Sequence, residues 1–340
     1  MSYKRFDKED VVVSAESVTT PLWSSDETIL TGFYTSSTQI GGTSADYYYD
    51  IYQTGSTLEG ARVQFSVAYA DEKGSGSLLY NNAVDGKSPS STIYGQYRNL
   101  VLGDEDDSFT FGTTTSDYFY VITIDRARYK EKLLPGSLDL VLHVSASGAM
   151  LRLTDNSKAI TTATFADAGR VYELVSGSLG TVYTGVNSNG YSATQGSYGK
   201  LLPDVGIILL NGKALDASAG NGGLALGTNR NSDVVGNNNQ KLFNILKDGA
   251  SFRVQSEETI TSNFVFVRAR NAEFNYSTNP SLITGSGEIR HNVMINSPQS
   301  YITTVGLYND NNDLLAVAKL SRPLLKDFSK ESLVRIKLDY

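Results

Sequence analysis

The chain contains no cysteine, and only two histidines and one tryptophan occur in its 340 residues. Without cysteine, disulfides, thiolate metal centres and a cysteine nucleophile are excluded, so stability must come from packing and from partners. His143 lies in the alternating stretch "LDLVLHVS" and His291 in the polar "EIRHNV". Neither has a histidine or acid at metal-ligand spacing, and both read as ordinary strand and loop residues. Long apolar runs are missing too. "VGIILL", from Val205 to Leu210, falls far short of the ~20 residues of a membrane span and reads as a buried strand. The N-terminal "MSYKRFDKEDVVVSAES" holds no apolar segment of signal-peptide length, so the expectation is a chain made and folded in a cytoplasm, with no membrane span. The net charge is −7, against the basic surface that general nucleic-acid binding requires. The densest like-charge run, Asp104 to Asp107, reads as a solvated loop.

Catalytic signatures are also absent. No G-x-S-x-G nucleophile elbow occurs, and no G-x-G-x-x-G follows a strand. "GSYGKL" lacks both the hydroxyl residue after Lys200 and the glycine five residues before it (Gln195 stands there), so it is not a phosphate loop. "NDNND", Asn309 to Asp313, lacks the central glycine of a calcium loop, and Ser321 occupies the place of the bidentate acid; a hairpin turn is the better reading. Carboxylate pairs for glycoside cleavage need only meet in space, so 36 acids carry no information on that point. No motif calls for a cofactor, a metal or an enzymatic reaction.

What is present is the composition of pleated sheet and turns, with 21 Tyr, 13 Phe and 31 Gly beside abundant Val, Thr and Ser. Period-two alternation marks half-buried strands in "ARVQFSVAYA", in "FVFVRAR" and in the tail "LVRIKLDY". In the tail, Val334, Ile336, Leu338 and Tyr340 are predicted inward, with Arg335, Lys337 and Asp339 outward. Two to four short helices are expected, with three candidates. One starts at Ser88 and Pro89 with Ile93, Tyr97, Leu100 and Val101 on one face; one is "RARYKEKLL" capped by Asp125; one is "QKLFNILKDG" ended by Gly249. The fold class is therefore mainly β: antiparallel sheets, sandwich-like, with a few short helices and long Gly/Asn/Ser-rich loops. The expected division is a β-rich N-terminal domain over 1–175, a loop-rich segment over 176–255 and a C-terminal β domain over 256–340. Two loops, Ser176–Gly199 and Gly220–Gln240, are too polar to bury much apolar area and are expected to order on neighbours.

Two features point toward surfaces. "DYYYDIYQ" and "DYFYVITI" crowd tyrosines, and because successive strand residues face opposite ways, each cluster exposes one ring set unless both faces are covered. Exposed tyrosines suit protein interfaces or sugar platforms. The second feature is the apolar hairpin "YITTVGLYNDNNDLLAVAKLSRPL", Tyr301 to Leu324, expected to turn at its Asn/Asp centre, to bury Val317 and to share a sheet with Leu333–Tyr340. Interface candidates are Tyr47, Tyr48, Tyr49, Tyr301, Tyr308, Arg335 and Lys337.

The segments "QYRNLVL", "YVITIDRARYKEKLLPGSLDLVL", "LLPDVGIILLNGKALD", "VQSEETITSNFVFVRARNAEFNYSTNPSLI" and "YITTVGLYNDNNDLLAVAKLSRPLLKDFSKESLVRIKLDY" resemble those of a virion structural protein of large contractile-tailed bacteriophages, especially the cyanobacterial myoviruses. The resemblance covers most of the chain from about Tyr97 onward and is weaker before it and in the two loops. It implies a non-enzymatic tail or baseplate subunit of the virion, assembled in the host cytoplasm with other virion structural proteins, in multiple copies and under symmetry. A receptor- or carbohydrate-binding tail component is the alternative implied by the tyrosine clusters. A virion-associated polysaccharide-degrading enzyme is the third.

Overall fold

A computed structural model describes residues 4–36, 48–77, 87–183, 197–230, 237–277 and 279–339. The fold is mainly β, with 43% strand and 15% helix, and its helices are few and short. The chain divides into two compact units, Val18–Glu258 and a second made of Met1–Ser17 with Thr259–Tyr340. This division differs from the three expected segments. The N-terminal residues join the C-terminal unit, and the whole of 176–255 belongs to the larger one. Sequence composition marks where loops lie but not which distant strands pair.

The larger unit is built on a curled, half-barrel sheet of twelve strands. Its main path runs Ile29–Leu30, Phe252–Arg253, Asp139–Val144, Ala149–Asp155, Gly169–Ser178, Gly199–Leu202, Ile207–Asn211, Tyr118–Ile124, Val63–Asp71 and Tyr49–Tyr52. Thr164–Ala166 and Thr181–Val182 join it beside Gly169–Ser178. "VGIILL" supplies the strand Ile207–Asn211, all of it buried, as its unbroken apolar run predicts. Curling gives the sheet two covered faces. Tyr69, Tyr118, Tyr120, Ile122 and Leu210 enter the inner core with Trp23 and Phe65. Phe119, Val121 and Leu209, pointing the other way, pack beneath the helix Pro89–Leu102 with Ile93, Tyr94 and Tyr97.

That helix begins as predicted. Pro89 sits in its first turn and Ser88 donates its backbone N–H to Ser91 Oγ at 3.3 Å, while Gly103 closes it at φ 67°. Its buried face carries Tyr94 in place of Leu100, which is exposed. The helix expected after Asp125 shrinks to one 3₁₀ turn, Arg126–Arg128. Lys132–Leu133 turns to strand instead, pairing with Ser256 and Glu257 and burying Leu133. A ladder partner outweighed the weak helical propensity there. The third helix, Asn237–Gly249, is where the sequence placed it.

The smaller unit is a thin sandwich. One layer has Val11–Pro21, Gln255–Ala269 and Ser332–Asp339 side by side in that order; the first two strands each run on from one unit into the other along the chain. The other layer is the hairpin Gln299–Tyr308 and Leu314–Asp327, a separate two-stranded sheet. The tail strand therefore does not share the hairpin's sheet as expected. It pairs with the strand before it, Ser262 through Ala269, and faces the hairpin across the sandwich.

Candidate assembly surface

The hairpin turns where its Asn/Asp run predicts. Asn309 Oδ1 accepts the backbone N–H of Asn311 at 3.0 Å and of Asp313 at 2.8 Å, and Asn312 takes φ 65°. Short amides that bond their own backbone tolerate that left-handed conformation. From the turn the two strands alternate. Val305 and Leu307, opposite Ala318 and Ala316, face the sheet and meet Val265, Val267, Val334, Ile336 and Leu338. Large residues thus oppose small ones, which fills a narrow layer. Val317 lies between the two alanines and points out, 58% exposed, so the expectation that it is buried is corrected. It pairs with Gly306, over which the Tyr308 ring and Leu314 lie: a Cβ on Gly306 would sit 2.9 Å from Tyr308 Cε2 and 3.4 Å from Leu314 Cδ1. Tyr308, Leu314, Leu315 and Val317 form an exposed apolar face, with Lys319 beside it. Tyr301 is 62% exposed further along the same strand.

The tail strand alternates as predicted for all its described residues, Val334, Ile336 and Leu338 inward and Arg335, Lys337 and Asp339 outward. Arg335 lies 5.5 Å and Lys337 Nζ 6.0 Å from the centre of the Phe264 ring, so two cations flank one aromatic face. Asp339 accepts from Ser262 Oγ at 2.6 Å and pairs with Lys337 at 3.1 Å. The serine bond first, and then the lysine, hold its carboxyl below the usual range.

The tyrosine clusters fare differently. Tyr49 is 1% exposed in the inner core and presents no ring to a partner. Tyr48 is half-buried, its hydroxyl bonded to Gln96 Oε1 at 3.1 Å and Tyr97 Oη at 3.2 Å. Tyr47 lies outside the described residues. Tyr118 and Tyr120 face the inner core and Phe119 the helix-covered side, so that cluster is covered on both faces. The geometry that would make these strands a sugar platform is absent for the described rings.

Sequence reading missed other exposed apolar residues of the small unit. They are Val11, Val12 and Val13 on an outer strand, Phe274 and Tyr276 in the segment after Ala269, and Val293 and Ile295 in the one-turn helix Val293–Asn296. The "VVV" triplet was a legible signal; Phe274, on a left-handed backbone at φ 56°, carried none. That turn is clamped from beneath. Lys326 is 0% exposed, and its ammonium donates to Asn271 O at 3.0 Å, Asn275 Oδ1 at 2.7 Å and Asp327 O at 2.8 Å. Three donors meet three oxygens, which compensates its desolvation without a carboxylate.

The large unit holds an ionic network around one buried carboxylate, Asp71. Arg230 Nε reaches Asp71 at 2.9 Å, its Nη2 reaches Asp117 at 2.7 Å, and its guanidinium lies 4.5 Å from the Tyr118 ring centre. Burial pushes Asp117 up, but the Arg230 bond and charge outweigh it and hold the carboxyl below its ordinary value. Asp71 is fully buried and also accepts the N–H groups of Lys73 and Ser75, so the network fastens a strand end, while Arg230 and Asp117 stay partly exposed. An open polar cleft of about 480 Å³ is lined by residues that include Trp23, Asp26, Gln53, Arg62 and Arg128. Gln64, just behind it, is spent on Ser24, Gln53 and Arg62. His143 Nδ1 lies 3.3 Å from Asp248 O, and His291 is exposed in a turn. Among the described residues no group of His, Cys, Asp and Glu is placed to hold a metal ion, and no helix is long and apolar enough to cross a membrane. The described parts of the two Gly/Asn-rich loops are built into the large unit: Leu224 and Asn238 are buried and Arg230 is anchored as above, while 184–196 and 231–236 lie outside the described residues. No family model, curated protein or solved structure matches the chain.

Proposed function

We propose that this chain is a non-enzymatic structural subunit of a contractile-tailed bacteriophage particle, working in the tail or baseplate by protein–protein assembly. The observation that carries the assembly half of this reading is the imbalance of the small unit. Its buried apolar side chains among the described residues are Val265, Ala269, Leu307 and Ile336, while more than twice as many large apolar residues on it are exposed. An isolated domain gains stability by covering such groups, at roughly 1.5–3 kcal/mol for each large side chain fully buried. Leaving them in water is favoured only if a neighbour covers them in the working state. The phage half rests on the resemblance of the long segments from Tyr97 onward. Tyr301, Tyr308, Arg335 and Lys337 are the interface candidates on exposed faces; the carbohydrate-binding alternative loses the support of the covered rings.

The test uses Leu315→Asp with Val317→Asp in the full chain. Both positions are exposed, so the purified variant is expected to keep its circular dichroism and melting temperature. In phage bearing the variant, incorporation of the subunit into tails is expected to fall at least tenfold. Normal incorporation with a normal fold would overturn the reading of this face.

A further inference from the structure

The polar cleft of the large unit has fixed walls. It is lined by the turn from Trp23 to Asp26, by Gln53 and Arg62 at the ends of two paired strands, and by Arg128 at the end of the 3₁₀ turn. Gln64, fully buried, bolts these walls together. Its Oε1 accepts the Ser24 N–H at 3.0 Å, and its Nε2 reaches Ser24 Oγ at 2.7 Å, Arg62 O at 2.8 Å and Gln53 Oε1. Trp23 is 2% exposed, and its ring packs on Phe252 and Phe65 with centroids 5.0 and 6.2 Å apart. Asp125 Oδ1 accepts the Ala127 N–H at 2.7 Å and so fixes the turn that carries Arg128.

The unmet groups of these walls are donors. Trp23 Nε1 and Arg128 Nε are buried and have no hydrogen-bond partner among the described residues. An indole N–H and a guanidinium only donate, so each requires an oxygen brought to it. Among the described residues neither Arg62 nor Arg128 enters an ion pair; the Arg62 guanidinium donates to the adjacent Ala61 carbonyl at 3.1 Å. The acceptors are already engaged. Ser24 Oγ, Gln53 Oε1 and Gln64 Oε1 take the bonds above, and Trp23 O takes the Asp26 N–H at 3.0 Å. Asp26 is the lining carboxylate and is exposed, so two guanidiniums against it leave the cleft one positive charge in a chain of net charge −7. From this we infer that the cleft binds a small oxyanion, a carboxylate or phosphate group of a small molecule. Arg62 and Arg128 hold its charge, as planar guanidiniums suit such groups, and the Trp23 N–H is a further donor. The volume of about 480 Å³ falls in the range of small-molecule sites, about 300–1,000 Å³. The site lies wholly in Val18–Glu258 and shares no residue with the assembly face, so it stands or falls apart from that reading.

Trp23 is the chain's only tryptophan, so tryptophan fluorescence reports on this cleft directly. Inorganic phosphate and glucuronate are titrated separately into the full chain, at an ionic strength held constant with sodium chloride, and each titration is repeated by calorimetry. At least one is expected to saturate with a Kd below about 1 mM, and the tighter of the two identifies the oxyanion as phosphate or carboxylate. Sodium chloride alone is expected to give no saturable signal. Arg62→Gln and Arg128→Gln are each expected to weaken binding about tenfold or more, with circular dichroism reporting the fold. Arg62 is exposed, so its variant carries the test even where Arg128→Gln disturbs the turn. If neither anion binds with a Kd below about 1 mM, water alone meets these donors and the inference is overturned. Unchanged affinity in a normally folded Arg62→Gln variant would overturn it equally.

Discussion

Gly249 ends the helix Asn237–Gly249, and a methyl group there would lie 2.0 Å from the carbonyl oxygen of Val141 in the neighbouring strand. The left-handed residue that closes this helix is Ala250, at φ 47°, so the glycine is required by close approach and not by its own dihedrals. Gly249→Ala is expected to cost about 1–3 kcal/mol in urea unfolding, as overpacking does; an unchanged midpoint would show that the strand yields freely. Lys326 is the second residue whose role is set by surroundings. Lys326→Met keeps its stem but strands three oxygens, and an unsatisfied buried acceptor costs about 1–3 kcal/mol. The loss is expected in the small unit alone, read as faster amide exchange in Asn271–Asn275. Uniform exchange there before and after substitution would contradict the clamp.

At the scale of elements, the strand Gly169–Ser178 is tied to the turn after Gly199–Leu202 by one ion pair. Asp204 accepts the Arg170 backbone N–H at 2.8 Å and its guanidinium Nη2 at 2.5 Å. Burial raises the Asp204 carboxyl, yet the Arg170 bonds prevail and its pKa lies below the ordinary value. A carboxyl depressed in the fold adds stability above its unfolded pKa of about 4, and that contribution is lost as pH falls through the folded value. Melting temperature measured from pH 6 downward should therefore fall more steeply below about pH 4 in wild type than in Asp204→Asn. Parallel curves would remove the pair from the acid response. The hairpin turn makes the opposite kind of prediction. Asn312 at φ 65° tolerates Gly within roughly 1 kcal/mol, whereas Val there should cost about 1–2 kcal/mol, because a β-branched side chain clashes in that region.

For the whole molecule, the two units differ in how much core they own. Tyr118–Ile124 and Ile207–Asn211 lie among two large apolar clusters, while the small unit's own cluster holds only Val265, Leu307 and Ile336 buried, with half-buried neighbours. Few buried contacts mean low local stability. Native-state amide exchange in Gln299–Tyr308 and Leu314–Leu320 is therefore expected to be faster than in Tyr118–Ile124, and to slow in assembled particles. Equal protection in the free protein would mean that the thin sandwich is as stable as the half-barrel.

The sequence by itself determined the local facts. Period two placed Val334, Ile336 and Leu338 inward, the Asn/Asp run placed the hairpin turn, Ser88 and Pro89 started a helix, and the alternating strands established a mainly β fold. Each depends on side chains within a few residues of one another, where spacing alone decides which face a residue occupies. Only the tertiary structure decided what covered those faces. Tyr49 and Tyr118–Tyr120 are interior because the sheet curls and a helix lies on its back. Val317 is exposed because Ala316 and Ala318 take the inward places, and the N-terminal residues join the C-terminal unit through a strand pairing hundreds of residues apart in sequence. Which residues the apolar hairpin exposes stayed illegible for the same reason. Whether a hydrophobic strand is core or surface depends on the layer opposite it, and that layer is supplied by distant chain or by another molecule.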